Sequence, residues 1–206
     1  MSFPHINIQG CLDRRLSVNS NEKLRPFDES LFCAIGKHRP EIMKEFLRLI
    51  LNDDTLEFKG LSCNDITNVY GYDSTLAEFS TLTGNGRLMG LLTAEGTEPD
   101  VIANAFLYFV LKKEEYMADT MDYSLIPKMI IVVLMEKDVF EGKSPFYKLT
   151  WRDDKPGFEF DGVKYIFVNG ECKADNPLDS YIHDFMRNDT DSMRIDSIKE
   201  FMKQEV

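Results

Sequence analysis

Apolar residues return along this chain with two different periods, and the points where the period changes divide it into elements. Residues 1 to about 23 mix polar and turn residues without periodicity and are expected to form an arm or extension. The phrase LRPFDESLFCAIG then sets Phe27, Leu31, Phe32 and Ile35 at helical spacing behind Pro26, with Gly36 expected to close the helix. After Pro40, the residues Ile42, Phe46, Leu49 and Ile50 lie on one stripe of a second amphipathic helix. TLEFKGLS and DITNVY are short and mixed, and predict a strand and a connection.

A hairpin follows. STLAEFSTLTGNGRLMGLLTAEG, residues 74–96, reads as two strands joined at 84–86 by GNG, residues that tolerate positive φ. Thr97, Glu98, Pro99 and Asp100 carry the chemistry of a helix start. The helix they open runs on through Val101, Ala105, Tyr108, Phe109 and Leu111, long and substantially buried. KMIIVVLME is β-branched on both parities, the pattern of a strand covered on both faces. FYKLTW and VKYIFVN predict further strands around the turn-rich RDDKPGFEFDG. NPLDSYIHDFMRND and SMRIDSIKEFMKQ predict two short closing helices. The order implies one α/β domain over 24–206, a mixed central sheet with helices on its faces.

Composition adds limits to this picture. At 206 residues, 43% of them hydrophobic and 15 of them Phe, the chain has the apolar content for a packed core. The run MIIVVLM is too short to span a bilayer, and the N-terminus lacks the basic-then-apolar order of a secretion signal. Cysteines at 11, 33, 63 and 172 form no CxxC and suit a reducing, cytoplasmic setting. Twenty-four basic against 35 acidic residues give a net charge of −11, which repels a phosphate backbone. No GxSxG, GxGxxG or GxxxxGK[ST] is present, which argues against the hydrolase, dinucleotide and P-loop classes those motifs mark. His5 and His38 lack partners at metal-ligand spacing, and His183 and Asp184, adjacent on a helix, should diverge by roughly 100°. Trp151 is expected to pack at the end of a strand.

Four phrases in order carry a family resemblance: LRPFDESLFCAIG, IPKMIIVVLMEKDVFEGKSPFYKLTW, GVKYIFVNG and LDSYIHDFMRNDTDSM. Together they resemble the PD-(D/E)XK nuclease family transposases, also called recombination-promoting nucleases, over nearly all of residues 24–201. The resemblance implies a restriction-endonuclease-like core. It also implies a hairpin on which an Asp and a Glu hold Mg²⁺, with a Lys or Gln two residues after the Glu. Hard oxygen ligands and a metal-activated water are what phosphodiester cleavage requires, and the i, i+2 spacing aims two side chains from one strand face.

The hairpin of this chain departs from that pattern. The family's Asp falls on Ala77, its Glu on Leu92 and its Lys or Gln on Ala94, none of which ligates Mg²⁺. By parity, Ala77, Phe79 and Thr81 are expected to share a face with Leu88, Gly90, Leu92 and Ala94. The helix that usually brings an arginine is DVIANAFLYFVLKK, without one. The expectation is a nuclease-like protein that holds no metal and acts by binding a protein or nucleic-acid partner, as an inhibitor or decoy, alone or as a homo-oligomer. The alternative is an active Mg-dependent DNA endonuclease with a migrated site, Glu78 facing Glu95 and Asp73 or Asp28 as a third ligand. Against that alternative, Glu78 reads as a solvent-facing strand residue and Glu95 as an acid before a helix start.

Overall fold

The computed structural model describes residues 24–66, 76–84, 86–120, 127–149, 162–173 and 176–205. The stretch 1–23, Asp73, Asn85 of the hairpin turn, and residues 150–161 with Trp151 lie outside them. In chain order the elements are α1 (Glu29–His38), α2 (Pro40–Leu51), β1 (Phe58–Ile66), β2 (Leu76–Thr83) and β3 (Leu88–Ala94). They continue as α3 (Glu98–Thr120), β4 (Met129–Met135), β5 (Phe146–Leu149), β6 (Val163–Asn169), α4 (Pro177–Phe185) and α5 (Asp196–Glu205).

The six strands form one mixed sheet in the order β1-β2-β3-β4-β6-β5. β3, β4 and β6 run parallel, while β1, β2 and β5 join antiparallel. β4 is buried along its whole length between two parallel neighbours, as its unbroken apolar run predicts. Among the described residues, no helix is long and apolar enough to cross a membrane.

The first helix does not stop at Gly36. That glycine is buried inside α1, which continues to His38. The break comes at Arg39, where the backbone leaves the helical region at φ −134. Arg39 precedes Pro40, whose ring disfavours helical geometry in the residue before it. Pro40 then opens α2 at a position where a missing N–H costs nothing.

One face of the sheet is covered by α1, α2, α4 and α5. Phe79, Met89, Leu91, Ile130, Val132, Leu134, Ile166 and Val168 meet the apolar stripes of these helices there. Phe46 stacks on Phe185 and Tyr181, with ring centroids 5.1 and 5.8 Å apart. Among the described residues this face has one fully buried carboxylate, Asp184. It accepts from the backbone N–H groups of Arg194 (2.9 and 3.0 Å to its two oxygens) and Ile195 (2.7 Å), tying α4 to the start of α5. His183 Nδ1 lies 2.9 Å from Asp184 Oδ1, so these adjacent side chains do meet, contrary to the divergence expected from helix geometry. Both residues sit in the last turn of α4.

The opposite face packs against α3, on which Val101, Ala105, Tyr108 and Lys112 recur at helical spacing and are all buried. At the start of α3 the Asp100 carboxylate reaches back to Thr97: Thr97 N and Oγ1 both donate to Asp100 Oδ2 at 2.9 and 2.6 Å, the acid's half of a capping box.

Candidate functional site

The hairpin expected from sequence is present, and its register decides which residues face α3. Glu78 pairs with Leu92, Phe79 with Leu91, Ser80 with Gly90 and Thr81 with Met89. Directly paired residues of an antiparallel ladder point to one face. Leu88, Gly90, Leu92 and Ala94 therefore share their face with Glu78, Ser80 and Leu82, and not with Phe79 and Thr81. The parity expected from sequence is off by one residue, and a one-residue slip exchanges the faces of a strand completely. Ala77 stands opposite Asp65 of β1, outside the described ladder with β3.

This register sets Glu78 directly across from Leu92 on the α3 face. Glu78 is not a solvent-facing strand residue; it is completely buried. Tyr108 Oη donates to Glu78 Oε1 at 3.1 Å, and Lys112 Nζ stands 3.0 Å from the same oxygen. Lys112 also pairs with Glu115 at 2.9 Å. The other oxygen, Glu78 Oε2, is buried without a hydrogen-bond partner. Gly90 makes room for this arrangement. A Cβ there would stand 2.6 Å from Tyr108 Oη and 2.7 Å from its ring Cζ, so only glycine lets the tyrosine lie against the strand.

The electrostatics follow from burial and from the two carboxylates. Burial, and then the Glu78 carboxylate, hold the Tyr108 hydroxyl well above its ordinary pKa, so it is a hydrogen-bond donor at neutral pH. Burial pulls the Lys112 ammonium down, but Glu78 and Glu115 outweigh it and leave its pKa above the ordinary lysine value. Lys112 is thus a cation under the sheet at neutral pH. The same face holds a second buried polar atom without a partner, Tyr165 Oη on β6, whose pKa burial also raises.

Leu92 is fully buried and Ala94 nearly so, both packed in the apolar layer with Val101 and Ala105 of α3. Glu95 is separated from Glu78. It follows the last residue of β3 and is exposed, 3.5 Å from Arg25. Arg25 also pairs with Glu136 at 2.8 Å and with Asp28 at 2.9 Å. Asp28, at the N-cap position of α1, accepts from the backbone N–H of Arg25 rather than capping the helix. Glu95, Asp28 and Glu136 therefore gather around one guanidinium at the C-terminal end of β3 and β4, while Glu78 lies on the α3 face. Asp73 falls outside the described residues.

These side chains do not fit a divalent cation bound at the hairpin. Leu92, at the position expected for the second metal-binding carboxylate, and Ala94, at the position expected for the Lys or Gln, are apolar packing. The carboxylate that does face them already has an ammonium and a phenol on one oxygen. Among the described residues, no group of three His, Cys, Asp or Glu side chains is placed to hold a metal ion. Lys112 and Tyr108 went unrecognised in the sequence. The one available sign was a lysine in the fourth place of the stripe Val101, Ala105, Tyr108, Lys112, where an apolar residue is expected.

No protein-family model, no curated protein and no solved structure matches this chain.

Proposed function

We propose that this chain is a nuclease-like module of restriction-endonuclease architecture that works by binding a partner rather than by cleaving DNA. The order of its elements and the central hairpin support that architecture. The observation that carries the loss of chemistry is the use of Glu78. The one hairpin acid on the face of Leu92 and Ala94 is committed to Lys112 and Tyr108. A carboxylate so engaged has no oxygen lone pairs to spare on Oε1 for a metal, and the adjacent ammonium repels one. The charge of −11 favours a protein partner with a basic surface over nucleic acid. The nucleic-acid groove of an active nuclease is such a surface, and occupying it would make this chain an inhibitor or decoy in the cytoplasm.

The test is direct. Supercoiled plasmid incubated with the purified protein in Mg²⁺ or Mn²⁺ is expected to remain intact, with no retarded complex at physiological salt. Metal-dependent nicking that disappears in Glu78→Gln would overturn this reading.

A further inference from the structure

We propose that the buried Glu78–Lys112 pair is a register key. It selects one of two neighbouring pairings of β2 with β3, and as a pair adds little to the stability of the fold. This role does not depend on what the chain binds.

The apolar pattern of the hairpin leaves its register open. Both faces of β2 are covered: Glu78 and Ser80 are buried towards α3, and Phe79, Thr81 and Thr83 towards the four-helix face. β3 is buried at every position. A strand with one wet face resists a slip of one residue, because its apolar set would turn to water. Here a slip exchanges one buried set for another. Neither set of β2 is strongly apolar, with Glu78, Ser80 and Leu82 on one side and Phe79, Thr81 and Thr83 on the other. The turn does not decide the matter. It closes on Thr83 N donating to Arg87 O at 2.8 Å, and hairpins close equally on loops one residue longer or shorter. Gly86, at φ 76, has nothing within 4 Å of where a Cβ would stand, so the turn has room to change.

The charges do decide. Among the described residues Lys112 is the one buried basic side chain, and its Nζ stands 3.0 Å from Glu78 Oε1. A slip of one residue would turn Glu78 into the apolar layer that now holds Phe79. There it would meet no cation, and Lys112 would keep only the exposed Glu115. A buried carboxylate without its counter-ion is among the costliest features a fold can carry. As a source of stability the pair is poorly made, since Glu78 Oε2 has no partner. A buried ion pair of this kind commonly does no better than apolar side chains of the same volume. Its effect is therefore large on the choice of register and small on the free energy of the chosen one.

The experiment compares the parent with Glu78→Leu/Lys112→Met, by denaturant titration and by ¹H–¹⁵N correlation spectra with cross-strand NOEs. The double variant is expected to fold with a stability near that of the parent. In at least about 10% of its molecules, β2 and β3 should show cross-strand NOEs displaced by one residue, as a second set of amide peaks or throughout. One set of peaks that keeps the parent pairing of Phe79 with Leu91 overturns the inference. Where Glu78→Leu/Lys112→Met does not fold, Glu78→Gln/Lys112→Met is read by the same two outcomes. Failure of both to fold would make the pair a source of stability rather than of choice, and would equally overturn it. Metal-dependent plasmid cleavage by the parent is a separate readout, which would strike the proposed function without touching these spectra.

Discussion

The two faces of the sheet each bury a carboxylate, and they treat it in opposite ways. Under four helices, Asp184 receives backbone N–H groups on both oxygens and a histidine nitrogen besides, so it is fully satisfied. Under α3, Glu78 receives a phenol and an ammonium on one oxygen and nothing on the other. A fully satisfied buried polar group fixes a unique local geometry, whereas a partly satisfied one leaves free energy unspent. Both buried polar atoms found without partners among the described residues, Glu78 Oε2 and Tyr165 Oη, lie on the α3 face. The four-helix face reads as scaffold, and the α3 face as the place where packing has been compromised around a charge.

Removing the cation should test this contrast most severely. Lys112→Met leaves the Glu78 carboxylate buried without its counter-ion and with only the Tyr108 hydrogen bond, and is expected to cost about 3–5 kcal/mol of stability in denaturant titrations. Neutralising both partners in Glu78→Gln/Lys112→Met should recover most of that loss, since an uncharged pair avoids the desolvation cost. Equal losses in the single and double variants would show that charge is not what the site protects. On the other face, Asp184→Ala strands the N–H groups of Arg194 and Ile195, with an expected cost of about 2–3 kcal/mol. No partner substitution should rescue it, because the groups it serves belong to the backbone.

Gly90→Ala is a smaller perturbation. Its methyl group must displace the Tyr108 ring, at about 1–3 kcal/mol. Tyr108→Leu in the same chain should restore part of that loss, and a tolerated Gly90→Ala would mean that the tyrosine does not rest on the strand.

The smallest effect is a slope with pH. Tyr108 and Lys112 are both held above their ordinary values, so the folded state keeps protons that the unfolded chain releases. Their contribution is complete below about pH 10 and declines as pH rises through the unfolded values toward the folded ones. Tyr108→Phe should flatten the alkaline limb of the stability curve without abolishing it, because burial also raises Tyr181 on the opposite face. An unchanged limb would remove Tyr108 from the account.

The elements of the fold were legible where one local signal sufficed. The start of α3 at Thr97, the hairpin around Gly84 and Gly86, and the double-sided burial of β4 all follow from capping chemistry, turn residues and an unbroken apolar run. Gly36 misled because glycine often closes helices, whereas here the following Arg39-Pro40 pair sets the break and Gly36 is a buried helical position. The site was legible only to within one residue. Ala77 and Glu78 are neighbours, and which of them faces Leu92 depends on strand register, a long-range property that alternation alone does not determine. Lys112 left only its place in an apolar stripe as a sign. A lysine on a helix usually lies in solvent, and the stripe alone does not reveal that this one meets Glu78 of β2.

The parallel pairing of β3, β4 and β6 also governs the time order of assembly. Leu88 must meet Met129, and Met129 must meet Val163, across loops of some tens of residues. Contacts so distant in sequence form late, since loop-closure entropy is lost before they repay it. Until then MIIVVLM, seven residues without charge or proline, is an unpaired strand with high aggregation propensity. Its flanking residues Lys128, Glu136 and Lys137 are charged and act as gatekeepers on the nascent chain, keeping the run available for its own sheet.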